Sequence, residues 1–507
     1  MPKGWPLLLC ALQCAWVSSA AMSISATVKS IQDIMRQDAG VDGDAQRISQ
    51  LGWMFFLKIF DDQEAELEIT RSSYKSPLPE SLRWRSWAAD PEGMTGDTLL
   101  RFVNGDLFDG LKGLKGDART NPRAVVVRAV FEDAYNYMKS GTLLRQVANK
   151  INQVDFNSTS DRHLFGDIYE QILRGLQSAG NAGEYYTPRA VTDFMVERVD
   201  PKLGQQVLDP ACGTGGFLTG AIEHIRRNYV KLTGDEEKLQ AQINGVEKKP
   251  LPHLLSMTNM LLHGIEVPTR IRHGNTLQRP LRDYSASDRV DVILSNPPFG
   301  GTEEPGIESN FPQNFRTRET ADLFLVLIVK LLREGGRAAV VLPDGTLFGE
   351  GVKTRIKEHL MCECDLHTIV RLPNGVFAPY TGIKTNLLFF TKGKPTREVW
   401  YYEHPYPAGA KSYSKTKPIR LDEFGPERDW WHDREENERA WRVSAEDIAA
   451  GGYNLDIANP RGKAGPGGDP QVLLDEHAAR LQEAAATRDL LRAAIAGALA
   501  STGSNAR

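Results

Sequence analysis

Apolar residues along this chain change their rhythm twice. From residue 22 to about 178 they recur at the three- and four-residue spacing of helices, with Ile48, Leu51, Met54, Phe55 and Ile59 on one stripe. That front part reads as α-helical, with further helices over 123–139, 143–151 and 161–176 and a polar, Gly- and Pro-punctuated stretch over 72–119. A small-residue loop at 177–183 closes it, and from there short apolar runs alternate with helical ones, the pattern of β-α units. Strands are expected at 205–208, 241–246, within 268–277, and at 289–295, 337–342, 366–372 and 385–390. Helices are expected at 190–199, from a Gly-rich turn up to 230, at 322–332 and at 356–360. Past residue 392 the rhythm is lost, and Trp400-Tyr401-Tyr402 and Trp430-Trp431 stand among charged and Pro-containing segments. A Gly- and Pro-rich linker at 461–470 precedes a last amphipathic helix over 471–499, whose stripe (Leu473, Leu474, Ala478, Leu481, Ala485, Leu490, Leu491) needs a partner surface to bury it.

The polar residues that stop these strands carry the candidate chemistry. The run 289–295 is β-branched and apolar, then breaks at Asn296-Pro297-Pro298-Phe299, because two prolines cannot continue a central strand. The Asn296 side-chain oxygen and the Pro297 carbonyl suit the two protons of an amino group on a flat ring, and Phe299 suits stacking on that ring. A turn with Asn as cap is the plainer account of the four residues alone. The first strand ends in Asp209-Pro210-Ala211-Cys212-Gly213-Thr214-Gly215-Gly216-Phe217 and runs into a helix. Its glycines let backbone approach a ligand closely, and the Lys of a nucleotide-triphosphate loop is missing. Glu247 ends the second strand, where an acidic side chain takes ribose hydroxyls, and Asn275 ends the third. Before the first strand, Glu184-Tyr185-Tyr186-Thr187-Pro188-Arg189 leads into a helix, with Thr187 placed as its cap and Pro188 in its first turn. The segment 300–320, polar and rich in Gly and Pro, is expected to be a mobile loop beside the site, with Arg316 and Arg318 as candidate DNA-backbone contacts.

Composition narrows these readings. A chain of 507 residues has room for about three domains. A formal net charge of −4 gives no bulk attraction for nucleic acid, so such binding would need a local basic face or a partner chain. Five cysteines without metal-ligand spacing (Cys10, Cys14, Cys212, Cys362, Cys364) argue against a zinc or disulfide framework, so no metal site is expected. Residues 1–21 mimic a secretory signal, but the basic end is thin and nothing downstream looks secreted; the expectation is an over-long start, with the chain proper opening at Met22. Beyond that run, no stretch approaches the ~20 apolar residues of a membrane span.

Together these motifs resemble the S-adenosylmethionine-dependent DNA methyltransferases that act on amino groups. The segments at 40–62, 184–189, 342–348 (LPDGTLF) and 381–393 (TGIKTNLLFFTKG) look more specifically like the modification subunit of a type I restriction-modification system, over nearly everything from Met22 to Asn459. The resemblance implies an α/β Rossmann-like methyltransferase domain with a mixed, mostly parallel sheet, preceded by an α-helical N-terminal domain and followed by a C-terminal helical tail. The expected division is a doubtful extension at 1–21, the helical domain at 22–178, the catalytic domain at 179–395, its C-terminal part at 396–460, the linker at 461–470 and a partner-binding helix within 471–507.

Carried onto this chain, the resemblance puts Glu184, Tyr185, Tyr186, Thr187, Pro188 and Arg189 over the methionine end of S-adenosylmethionine. Asp209, Ala211, Gly213, Thr214, Gly215 and Gly216 would hold its amino-acid part and Glu247 its ribose. Asn275, where many relatives have Asp, would face its adenine, and Asn296, Pro297, Pro298 and Phe299 would grip the target adenine at N6. The implied partners are double-stranded DNA, a separate DNA specificity subunit and a second copy of the chain, with the restriction (nuclease and translocase) subunit as a further candidate; the implied location is cytoplasmic. Methylation of RNA or of a protein amide, and a non-catalytic scaffold, are the alternatives. Cys212 lies in the cofactor loop, away from the target-base segment, and is not expected to act as a nucleophile.

Overall fold

The computed structural model describes residues 26–154, 156, 169, 187–378, 381–414, 416–461, 481, 482, 485, 487, 488, 491 and 492. They fall in two compact units, Met1–Glu436 with Ala440–Ile457, and Asn437–Arg439 with Ala458–Arg507. In the smaller unit Asn459 Nδ2 donates to the Glu438 carbonyl at 2.8 Å, and the described residues from 481 on are helical. The expected helix 161–176, most of the tail helix and residues 1–21 lie outside the described residues.

The front of the larger unit is helical, as its apolar periodicity predicts. Helix α1 (26–35) is followed by α2 (Asp44–Thr70), which buries Trp53, Phe55, Phe56 and Phe60. The polar, Gly- and Pro-punctuated stretch 72–119, in which no helix was singled out, contains α3 (Gly96–Phe102) and α4 (Phe108–Lys112), joined through the π turn Val103–Leu107. Its Gly and Asp residues mask an apolar set, Leu99, Val103, Leu107 and Leu111, that is fully buried. Helix α5 (Pro122–Phe131) ends well before residue 139, and α6 (Gly141–Ile151) starts on a Ser140 cap. Rings hold these helices together: Trp53 meets Phe108 edge-on at 5.1 Å, and Phe108 meets Phe131 at 5.4 Å.

Behind them stands a nine-stranded sheet in the order β3-β2-β1-β4-β5-β7-β6-β8-β9. Strands β1 (Val207–Asp209), β2 (Ile243–Glu247), β3 (Ile271–His273), β4 (Val290–Ser295) and β5 (Leu332–Pro343) pair in parallel. Strand β7 (Thr385–Lys392) runs antiparallel between β5 and β6 (Cys364–Arg371). Two strands, β8 (Glu398–Glu403) and β9 (Ala440–Ser444), were not foreseen; they extend the sheet through the region where the apolar rhythm is lost. The helices α7 (Arg189–Val199), α8 (Gly216–Tyr229), α9 (Asp235–Gln242), α10 (Pro250–Leu262), α11 (Thr320–Leu331), α12 (Asp344–Phe348) and α13 (Val352–Glu363) cover the two faces. Among the described residues no helix is long and apolar enough to cross a membrane.

The helical front and one face of the sheet share a single hydrophobic core, through the contact of α2 with α10. At Gly52 the two helices are so close that a β-carbon would stand 2.9 Å from Leu254 Cδ2. A buried ion pair adds to this joint: Arg123 Nε donates to Glu64 Oε1 at 2.5 Å and its Nη1 to the Glu266 carbonyl at 2.7 Å, while the guanidinium lies 4.4 Å from the centre of the Phe60 ring. Glu64 is wholly buried and also accepts from the Tyr74 hydroxyl at 2.9 Å.

Arg123→Met leaves that carboxylate buried without its cation and should lower stability by about 3–5 kcal/mol, read as a shift in the denaturant midpoint of the full chain. Adding Glu64→Gln should recover most of the loss.

Candidate active site

In a parallel sheet whose order reverses beside its first strand, a crevice opens outside the carboxyl ends of the two flanking strands. Here those strands are β1 and β4, and they end in Asp209 and Ser295-Asn296. Ser295 Oγ donates to Asp209 Oδ1 at 2.8 Å, and the same oxygen accepts from the Ala211 amide at 3.0 Å. Burial pushes the Asp209 carboxyl up to about 7, against the opposing pull of those two hydrogen bonds.

The turn after Asp209 is held from below and from the side. Gly213 and Gly215 adopt φ of +53° and +85°, and a β-carbon on Gly215 would lie 2.9 Å from Ser256 Oγ on α10. Asn259, also on α10, donates to the Thr214 carbonyl at 3.1 Å. Glu247 at the end of β2 takes the Gly213 amide on Oε2 at 2.9 Å and the Lys249 amide on Oε1 at 2.7 Å. One carboxylate thus ties the Gly-rich turn to the second strand end. Gly216 then opens α8, with Gly215 at its cap position and no side-chain cap. Cys212 is buried here with its thiol pushed far up by desolvation, which is the environment of an inert cysteine.

Asn296 meets this assembly from the other strand. Its Nδ2 donates to Thr187 Oγ1 at 2.9 Å, while its Oδ1 is buried with no hydrogen-bond partner among the described residues. Thr187 therefore does not cap α7 as expected: Pro188 occupies the cap position, without a side-chain cap, and the Thr187 hydroxyl serves Asn296 instead. One cleft is lined by Thr187, Asp209, Ala211, Gly213, Thr214, Gly216 and Asn296, so residues from three separated motifs come together. Phe299 is buried and meets Phe377, from the loop between β6 and β7, edge-on at 6.2 Å.

Other expected residues are engaged elsewhere. Arg189 turns along its own helix and across to α8, with Nε 3.0 Å from Asp193 Oδ1 and Nη2 2.6 Å from Glu223 Oε2. The Arg189 and His263 side chains hold Glu223 at about 2, below the usual carboxylate range, against its burial. Asn275 caps the turn Thr276–Gln278, taking the Leu277 amide on Oδ1 at 3.0 Å, and gives its Nδ2 to Glu303 at 3.0 Å. Glu184, Tyr185 and Tyr186 lie outside the described residues.

The segment after Phe299 is more structured than its composition suggests. Thr302 bridges to Glu319, Phe311 and Phe315 are buried, and Glu303 lies buried against Lys248 Nζ at 3.0 Å. Arg318 donates to the Glu303 carbonyl and Arg316 to that of Phe311, so both guanidinium groups are partly taken up within the segment. Sequence reading missed Glu303, Phe377 and Ser295. Only Ser295, a lone hydroxyl closing an apolar run, carried a local signal.

Comparison with known proteins agrees with this geometry. Residues 160–465 match the family model described as N-6 DNA Methylase, and residues 24–151 match the HsdM N-terminal domain. The type I restriction enzyme EcoEI methylase subunit of Escherichia coli is 63% identical over 486 residues, covering 94% of this chain and 99% of that protein. The EcoKI methylase subunit of Escherichia coli strain K12 is 30% identical over 402 residues, covering 75% of this chain and 70% of that one. A chain from a structure of the type I R-M system, solved for its complex assembly and conformational transition, superposes with a TM-score of 0.78 at 37% identity, over 93% of this chain and 98% of the other. With the crevice at β1 and β4, and the Gly-rich turn and Asn296 in one cleft, the chain belongs to the N-6 DNA methylase family, as a methylase subunit of the type I restriction enzymes.

Proposed function

We propose that the cleft binds S-adenosylmethionine and that the chain methylates N6 of adenine in double-stranded DNA at sites chosen by a separate specificity subunit. The observation that carries this reading is the Asn296 amide: its NH2 is anchored on Thr187 while its carbonyl oxygen is buried with no partner among the described residues. A buried acceptor without a donor is unfavourable by about 1–3 kcal/mol, and an exocyclic amine entering beside it would relieve that. The Asn296 oxygen and the Pro297 carbonyl would each take one proton of the target amine, drawing its lone pair toward the attacking direction. Phe299 and Phe377 would form the aromatic wall against which an extruded base is held.

On the cofactor side, S-adenosylmethionine supplies an electrophilic methyl group when bound. Asp209 would hold its ammonium, the Gly213–Gly216 turn and Thr214 its amino-acid end, and Glu247, already fixed by two amides, its ribose hydroxyls. Thr187 and Pro188 would border its methionine end with Glu184, Tyr185 and Tyr186. Arg189 would act at one remove, by pinning the start of α7 to α8. Asn275, occupied as a cap, would border the adenine with its Nδ2 on Glu303. The reaction then needs orientation and exclusion of water rather than a covalent enzyme intermediate.

At −4 overall the chain has no bulk attraction for DNA, which agrees with binding through a partner chain or a local basic face. The proposed assembly contains the specificity subunit, a second copy of this chain and, where present, the restriction subunit, working in the cytoplasm. The domain reading stays as proposed: a helical front at 22–178, a catalytic domain from 179 with its C-terminal part to 460, and a partner-binding helix within 471–507.

The deciding experiment is transfer of labelled methyl to unmodified genomic DNA, by the chain alone and with its specificity subunit. Label on adenine N6 only with both chains is expected; label on RNA or protein alone sinks the reading. In the same assay Asn296→Ala should abolish transfer and leave cofactor affinity unchanged, whereas Thr187→Val, which frees the Asn296 amide, should lower turnover by about tenfold or more.

The Asp209 carboxyl also sets a pH dependence. Because burial raises it to about 7, the empty site carries a proton below that pH, and a bound ammonium favours its loss. Cofactor affinity should therefore rise as pH increases toward 7 and level off above it, with proton release seen by calorimetry in buffers of different ionisation heat. Asp209→Asn should remove the slope.

A further inference from the structure

Phe348 ends α12, just past the carboxyl end of β5, and a little over half of it is exposed (54%). Among the described residues most large apolar side chains are covered, so an open aromatic ring at this end of the sheet needs an account. Strand pairing places it: β5 lies beside β4, with Ser295 opposite Val340, and so α12 emerges next to the strand end that carries Asn296. The Asp344 amide donates to the Lys384 carbonyl at 3.2 Å, which brings the start of α12 against the residue after Ile383, itself 53% exposed. The loop containing Ile383 is the one that sends Phe377 onto Phe299.

The backbone on either side of Phe348 is braced from within. Lys357 is almost wholly buried, and its ammonium donates to the Leu347 carbonyl at 2.5 Å and to the Gly349 carbonyl at 2.8 Å. The Leu347 carbonyl accepts a second hydrogen bond, from the Leu455 amide at 3.1 Å. On the far side, a β-carbon on Gly349 would stand 2.0 Å from Lys353 Cδ, and Lys353 is itself held by Asp322 at 2.6 Å. Burying an ammonium is unfavourable, and its desolvation draws the Lys357 amine down to about 8. That buried charge grips the carbonyls of the two residues on either side of one exposed ring. An idle surface side chain would not require such support.

We propose that Phe348 is a DNA-contacting wedge, presented rigidly by Lys357, that packs against the base stack beside the extruded adenine. This rests on the DNA reading above. Taking a base out of a duplex loses stacking on both sides, and an apolar ring inserted at the step replaces part of it. Ile383 extends the same apolar rim, and Lys384 beside it, exposed, is placed to meet a phosphate.

The test uses the complete methylase with its specificity subunit and two duplexes bearing the site that the wild type methylates, one with adenine at the target for turnover and one with 2-aminopurine there for fluorescence. Phe348→Ala should lose most of the fluorescence rise that reports base extrusion and raise KM for DNA by about tenfold or more, while affinity of the chain for S-adenosylmethionine is unchanged. Phe348→Trp should retain both signals. Wild-type fluorescence and turnover in Phe348→Ala overturn the proposal, and so does loss of co-elution with the specificity subunit, which would make Phe348 a protein contact. A wild-type complex that transfers no methyl to DNA overturns the underlying DNA reading, and this proposal with it.

Discussion

A hydroxyl and a buried carboxyl on adjacent strands hold the centre of this molecule. Ser295 and Asp209 close the two strands between which the sheet reverses its order, and their 2.8 Å contact ties those ends together beyond the last rung of the ladder. On one side of it the chain turns through glycines onto α8; on the other it stiffens through two prolines toward Phe299. The groups that a methyl donor and a target amine would meet are therefore referenced to one short bond. That bond sits in a dry environment, which strengthens it and at the same time makes the carboxyl reluctant to ionise.

Around this centre, polar side chains serve as struts between elements far apart in sequence. Glu247 links the Gly-rich turn to β2, Thr187 links the lead-in of α7 to Asn296, Arg189 links that helix to α8, and Glu303 links the segment after Phe299 to Lys248 and Asn275. The helical front reaches the same centre through α10: this helix touches α2 at Gly52 on one side and supports Gly215 and Thr214 on the other. A change in the packing of the front is thereby felt beneath the turn within one helix diameter.

Much of this was legible because strand ends announce themselves. Apolar runs that break at Asp209, Glu247 and Asn296 identify both the strands and the polar groups they present, and their convergence follows from parallel topology. What was not legible depends on partners distant in sequence. Thr187 has the makings of a cap, but its hydroxyl is taken by the Asn296 amide, a partner more than a hundred residues away, and the helix starts without a side-chain cap. Arg189 reads as a ligand-facing charge until Glu223 and Asp193 are in place beside it. Strands β8 and β9 were hidden because their aromatic residues, Trp400, Tyr401, Tyr402 and Trp441, sit among charges that point outward. The helices at 96–112 were hidden by glycine and aspartate in an otherwise apolar frame.

The reversal of β7 has a geometric result of its own. In a parallel sheet each strand contributes one loop to the carboxyl edge, and the return path runs behind through a helix. Placing one antiparallel strand between β5 and β6 turns the chain back at that edge, so the connection from β6 to β7 leaves from the carboxyl side and delivers Phe377 to Phe299. Because this connection joins strands whose register is already fixed by their own ladders, its length is uncoupled from the positions of β1 and β4. A change in its length or side chains can therefore alter what meets Phe299 while the ends of β1 and β4 stay where they are.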